Sequence, residues 1–195
     1  MNTGHADILA RHPVPRHRLT LHEYHRLGEA GILGEDDRVE LLEGQLVDMS
    51  PIVPRHALAV DTLNEWLVPA VAGRAVVRVQ NPIELDSLSE PQPDIVVVRR
   101  PWLGYPAAHP QPGDIFLLIE VADTTLATDV GAKLELYARA GIREFWVVDL
   151  TTNSVLVYRD PSGASYASMT RVEMSGLLDV RDLPGVSIQA AELFA

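Results

Sequence analysis

The sequence predicts a mixed α/β fold: a central mixed β-sheet flanked by helices, with an N-terminal helix and hairpin ahead of it. Three observations lead there. Residues 115–121 (IFLLIEV) and 144–150 (EFWVVDL) are nearly continuous apolar runs, the mark of strands covered on both faces. A helix is expected between them at about 128–140, ended by Gly141 as a left-handed cap residue. A strand–helix–strand unit of this kind implies parallel strands joined by a right-handed crossover, and such units build layered sheet-and-helix architectures.

The other elements follow along the chain. Residues 1–19, which include the basic, proline-broken RHPVPRHR, read as a flexible lead-in, and 20–195 as one domain. Thr20-Leu21-His22-Glu23 matches a capping box and opens a helix that should end near Gly28 to Gly31. RVELLEGQLVDMSP predicts a hairpin turning at Glu43-Gly44. Residues 55–73 have helical spacing at Leu58, Leu63, Trp66, Leu67 and Ala70, with Pro69 near the end. Residues 74–80, 81–85 and 91–98 read as strands, the last with Pro93 at its mouth, where no ladder donor is needed. Residues 99–114 are a Pro/Gly-rich loop, and 154–160 with 163–170 form an outer meander.

Composition narrows the function classes. The 195 residues are 47% hydrophobic and 22% charged, ordinary for a soluble globular protein. The chain has no cysteine, which excludes disulfides and thiolate metal sites. Neither a signal-peptide pattern nor an apolar run of about 20 residues is present, so a cytoplasmic protein with no membrane partner is expected. A net charge of −11 argues against a sequence-independent DNA coat. It leaves room for an enzyme that meets phosphate locally, through a metal held by carboxylates.

The candidate chemistry lies in the acids of the strands. Alternation along 115–122 sends Ile115, Leu117 and Ile119 one way and Phe116, Leu118, Glu120 and Ala122 the other. Asp94 begins its own strand. If the two strands are neighbours, Asp94 and Glu120 converge at one rim. Paired carboxylates repel, and burial raises the cost. Hard divalent ions such as Mg²⁺ relieve it and keep waters for chemistry. Lys133, early in the following helix, can swing back over that rim to orient a metal-bound water and stabilise charge growing on a phosphate.

Asp94, Glu120 and Lys133 resemble the PD-(D/E)xK nuclease signature, with Pro93-Asp94 as its first part. The strict motif places lysine at 122, where this chain has Ala122, so Lys133 is a migrated lysine on this reading. The chain more specifically resembles the Uma2 (DUF820) family of restriction-endonuclease-like proteins over roughly residues 20–170. The likeness rests on VELLEGQLVDMSP with His56 after it, PQPDIVVV, LLIEVADTT, the D129-x-x-x-K133-x-x-x-Y137 helix and GIREFWVVDL. Asp123 stands where the family usually has serine. The resemblance implies a restriction-endonuclease-like core and a Mg²⁺- or Mn²⁺-dependent endonuclease acting on DNA, and makes a homodimer plausible. Asp94 and Glu120 would hold the metal, the backbone carbonyl of Val121 would add a ligand, and Lys133 would serve the attacking water. Glu40 would be a third metal or water ligand and His56 a substrate contact.

Plainer readings stand beside these. Glu120 also suits a strand-end acid paired with an arginine, and Pro93-Asp94 is ordinary turn chemistry. Lys133 follows Asp129 by four residues, the favourable order for a helix ion pair. Glu40 also fits a solvated strand position. Tyr137, Trp66, Trp102 and Trp146 read as packing, and His5, His12, His17, His22 and His25 lack ligand spacing on one rigid element. Two rival functions remain: a non-catalytic nucleic-acid-binding or assembly module on the same fold, and a two-carboxylate glycoside hydrolase that leaves Lys133 without a role.

Overall fold

The computed structural model describes residues 15–34, 36–100, 108–123 and 129–194, with the backbone alone at 129 and 130. Trp102, His5 and His12 lie outside the described residues, as does the side chain of Asp129. The order is α1 (Leu21–Glu29), β1 (Val39–Leu42), β2 (Gln45–Asp48), α2 (Pro54–Ala70), β3 (Ala75–Val79), β4 (Ile95–Arg99) and β5 (Ile115–Ala122). Then come α3 (Asp129–Arg139), β6 (Glu144–Asp149), β7 (Ser154–Ser162), β8 (Ser165–Glu173), β9 (Leu177–Asp179) and β10 (Ser187–Gln189). No helix among the described residues is long and apolar enough to cross a membrane.

Strands β3 to β8 form one six-stranded sheet in sequence order. Its pairs are antiparallel except β5–β6, which run parallel because α3 carries the chain back over the sheet. The mixed sheet, the α3 crossover and the flanking helices are those predicted. Helix α2 covers one face, packing Ala59, Val60, Leu63 and Leu67 on Ile95, Val97, Leu117 and Ile119. Helix α3 covers the other with Tyr137 and Ala138 against Val96, Leu118, Phe145 and Val147. Burial on both faces explains why β4, β5 and β6 are apolar almost throughout. Trp66 and Trp146 stack at 6.5 Å within the α2-side core, as packing residues.

Local signals explain the front of the chain. The Thr20 side chain accepts from the Glu23 amide and Glu23 accepts from the Thr20 amide, a complete capping box. Glu43 (φ 51°) and Gly44 (φ 77°) make the two-residue turn between β1 and β2. A Cβ on Gly44 would lie 2.6 Å from the Arg18 Cβ, so that close approach needs glycine.

Two expectations need correction, and one element is new. Residues 81–85 are not a strand. Pro82 cannot donate to a ladder, and the amides of Ile83, Glu84 and Leu85 bond to Pro91, Pro110 and Ser89 in loops. Alternation also breaks in β5: Val97 pairs with Leu117 but Val98 with Ile115. Phe116 is thus the extra residue of a bulge. Ile115 joins the α3-side core and Phe116 packs against the α2-side core, reversing their expected faces. Finally, the β9–β10 hairpin near the C-terminus was not anticipated.

A buried ion pair locks β6 to the outer strands. Glu144, 1% exposed, accepts from Trp146 Nε1 at 2.9 Å, Arg159 Nη2 at 2.7 Å and the Arg181 amide at 2.9 Å. Arg159 keeps Asp179 as a partner at 3.2 Å, but Glu144→Ala takes the acceptor from Trp146 Nε1 and the Arg181 amide as well, and is expected to cost about 1–3 kcal/mol. A urea denaturation midpoint equal to wild type would contradict this.

Candidate active site

The antiparallel register Ile95↔Ile119 brings the segment before β4 beside the end of β5. Pro93, without an N–H, precedes Asp94, and the ladder starts only at Ile95. The Asp94 side chain therefore sits at the rim beside Glu120. Asp94 Oδ2 accepts from the Val121 amide at 2.8 Å and from His56 Nε2 at 3.1 Å. Gln80 Nε2 lies 3.3 Å from the other oxygen. His56 comes from the first turn of α2, and its Nδ1 is buried with no hydrogen-bond partner among the described residues. The hydrogen bond to Asp94 raises the imidazole above its usual pKa, against the opposing pull of burial.

Glu120, 8% exposed, points to the α3 side. Its Oε1 accepts from Lys133 Nζ at 3.1 Å and from the Tyr137 hydroxyl at 2.7 Å. Lys133 and Tyr137 are one helical turn apart, so both reach down the same side of α3. Lys133 Nζ also lies 3.1 Å from Glu40 Oε1. Glu40, on β1, is fixed through its other oxygen by the Gln92 amide at 3.0 Å.

The structure thus brings together Asp94, Glu120, Lys133, Glu40 and His56, which lie far apart in sequence. Glu40 is not the solvated residue its strand position also allowed: it is 4% exposed and paired with the lysine. Glu120 is paired with Lys133, not with an arginine. The Val121 amide is committed to Asp94. Asp123 lines the same cavity, with Arg55 at 3.9 Å. His25 is taken up by Glu90 at 3.0 Å.

Sequence reasoning missed Gln80 and Gln92, and it read Tyr137 as packing without tying its hydroxyl to Glu120. Only Tyr137 had a signal, its spacing of four from Lys133. Gln80 follows β3 directly, in the left-handed region at φ 49°, a conformation uncommon for residues other than glycine, and its main-chain amide donates to the Asp94 carbonyl at 3.0 Å.

The electrostatics follow from crowding. Burial pushes the Glu120 carboxyl up to about 7; Lys133 opposes this, while Asp94 and Glu40 add to it. Burial pulls the Lys133 ammonium down, but Glu120 and Glu40 outweigh it and hold it above its usual range. Burial and the same acids push the Tyr137 phenol well up, so it stays a proton donor to Glu120. Once Glu120 ionises, as pH rises through about 7, three carboxylates face one ammonium and one imidazole, an excess of negative charge.

That excess is an observation against which a metal can be tested. Among the described residues no three acidic or histidine side chains are gathered as a ready metal cluster. Mg²⁺, however, commonly takes one or two carboxylates and keeps waters or substrate oxygens for the rest. The Asp94–Glu120 pair, with surplus charge and a raised carboxyl pKa, fits such an ion. The site opens into a cavity of about 1040 Å³, so solvent and substrate oxygens have access.

No curated protein matches the chain. A solved structure titled as a putative nuclease belonging to DUF820 from Anabaena variabilis ATCC 29413 superposes with a TM-score of 0.67 at 20% identity. The alignment covers 90% of this chain and 97% of that one, a likeness of fold. The Uma2 family, described as "Putative restriction endonuclease", matches residues 21–191. The chain belongs to the Uma2 family.

Proposed function

We propose that the protein is a cytoplasmic, divalent-metal-dependent endonuclease that hydrolyses DNA phosphodiester bonds at the Asp94–Glu120–Lys133 site. The observation behind this is the lysine: Lys133, sent from a helix, donates to the strand acid Glu120 at 3.1 Å beside Asp94, which immediately precedes the neighbouring strand. A glycoside hydrolase would need the two acids but gives that buried ammonium no task.

Asp94 and Glu120 would hold Mg²⁺ or Mn²⁺, with the Val121 carbonyl as a third oxygen donor. The ion, when bound, supplies Lewis acidity and a lowered water pKa. The protein's own groups do the remaining work. Val121 N–H and His56 fix the direction of Asp94; the Tyr137 hydroxyl fixes that of Glu120. Lys133 stays charged, so it can orient the attacking water and neutralise charge developing on the phosphate. Glu40 holds the ammonium in place from the far side.

The pH dependence has a definite sign. A carboxyl raised to about 7 binds its proton more tightly folded than unfolded. Its contribution to stability is therefore fully present below the usual carboxylate pKa and is lost as pH rises through about 7. Metal favours the ionised form. Metal uptake at pH 6 should release close to one proton and should release almost none at pH 8.5. Titration calorimetry in two buffers of different ionisation heat measures this; equal release at both pH values would remove Glu120 as the titrating ligand.

The test of function is incubation of purified protein with supercoiled plasmid in Mg²⁺ or Mn²⁺, with EDTA and Lys133→Ala controls. Metal-dependent nicking lost in both controls is expected. Intact plasmid under all metal conditions would overturn the reading in favour of a non-catalytic module.

A further inference from the structure

We infer that the cavity adjoining this site is a subsite for one unstacked nucleotide of a DNA strand, next to the phosphate to be cut; the inference rests on the nuclease reading. The cavity measures about 740 Å³ and is lined by Tyr24, His25, Arg38, Gln80 and Gln92, among others. Its size is that of a small-molecule site, generally about 300–1,000 Å³. Arg38, Gln80 and Gln92 also line the cavity that holds Asp94, Glu120 and Lys133. One wall therefore serves both spaces, and a ligand in the second lies beside the candidate metal pair.

The lining chemistry fits a whole base. Gln80 and Gln92 each bring an amide with donors and an acceptor, the pairing needed along an exposed Watson–Crick edge. Both glutamines are built into the site: the Gln80 amide group reaches Asp94, and the Gln92 main chain holds Glu40. The Tyr24 ring is fixed by its hydroxyl, which donates to the Val39 carbonyl at 3.2 Å, and lies 5.9 Å from the His25 ring. Such rings give a base a stacking surface. A base inside a stacked duplex offers only its edges, so an unpaired or extruded nucleotide is the form this cavity takes.

Charge points the same way. Lys133 is committed to Glu40 and Glu120, and Arg139 to Glu43 and Glu135. Arg38 makes no ion pair among the described residues and is free to meet one phosphate. A net charge of −11 argues against holding duplex through a long row of phosphates. A strand gripped by few phosphates and by its bases suits it better.

The test uses the full chain in EDTA, where cleavage does not compete. Fluorescence anisotropy compares a 12-nucleotide single strand, its blunt duplex and a set of strands with one abasic position each. The single strand should bind at least about fivefold more tightly than the duplex, and one abasic position should lose at least about fivefold, the effect of a stacked base. The slope of log affinity on log salt should correspond to one or two phosphate contacts, each about −0.7 for a single strand. Arg38→Ala should flatten that slope by one contact while its thermal melting stays that of wild type. Duplex binding as tight as single-strand binding, or a flat abasic series, would overturn the inference. Metal-dependent plasmid nicking with no single-strand preference would do so while leaving the nuclease reading standing. Single-strand binding without any nicking would count against the nuclease reading alone.

Discussion

Lys133→Ala is expected to lower plasmid nicking by on the order of 10²–10³-fold, the effect of removing one preorganised charge-stabilising group, while Mg²⁺ binding persists. The ammonium is the only buried cation within hydrogen-bonding reach of Glu120 among the described residues. Removing it leaves both proposed metal ligands in place: Asp94 keeps the Val121 amide and His56, and Glu120 keeps Tyr137. It also leaves Glu40 and Glu120 facing each other without a counter-charge, which should strengthen cation binding. Calorimetric titration of Mg²⁺ beside the nicking assay separates the two effects. Nicking equal to wild type would remove the lysine from the mechanism. The double change Ala122→Lys with Lys133→Ala returns an ammonium from the strand, on the same face as Glu120, and should recover part of the activity. Ala122 is 5% exposed in the α3-side core, so recovery is judged only in a variant whose thermal melting remains cooperative.

Glu120→Gln is expected to abolish measurable Mg²⁺ heat and nicking together, with the fold retained. The amide keeps an acceptor for the Tyr137 hydroxyl, which would otherwise be buried without one at a cost of about 1–3 kcal/mol. It also removes a carboxylate whose raised pKa marks it as poorly tolerated when ionised. At pH 8 the variant should therefore melt no lower than wild type. Metal heats unchanged from wild type would exclude Glu120 as a ligand. A melting temperature far below wild type at pH 8 would mean that the Lys133–Glu120 pair is chiefly a structural ion pair.

Much of this site was legible because its signals are local. Residues 115–121 and 144–150 are nearly continuous apolar runs, so two doubly covered strands follow from the pattern, and the segment between them is read as a crossover helix. An acid within such a run stands out, and Glu120 is conspicuous for that reason. Pro93 marks Asp94 as a strand-mouth residue. Glu40 depended on the family resemblance, since VELLEG by itself gives no reason to bury its acid; that reason is Lys133, 93 positions later in the chain.

What stayed hidden depends on contacts between distant segments. The bulge at Phe116 is set by the register of β4 on β5 and has no signature in IFLLIEV itself. Gln80 and Gln92 act through main-chain placement and amide direction, neither of which residue type or spacing encodes. The Glu144–Arg159 pair joins strands whose pairing the apolar pattern does not specify. In residues 81–85 the apolar content suggested a strand, and Pro82 prevailed by removing a donor.

The central claim, that Asp94 and Glu120 share a divalent ion beside the Lys133 ammonium, is tested most directly by anomalous diffraction from crystals soaked in Mn²⁺. A single strong anomalous peak between the carboxylates of residues 94 and 120, absent from Glu120→Gln crystals treated in the same way, is the predicted result. Mn²⁺ found only elsewhere on the protein, with Lys133 still bridging Glu40 and Glu120, would contradict it.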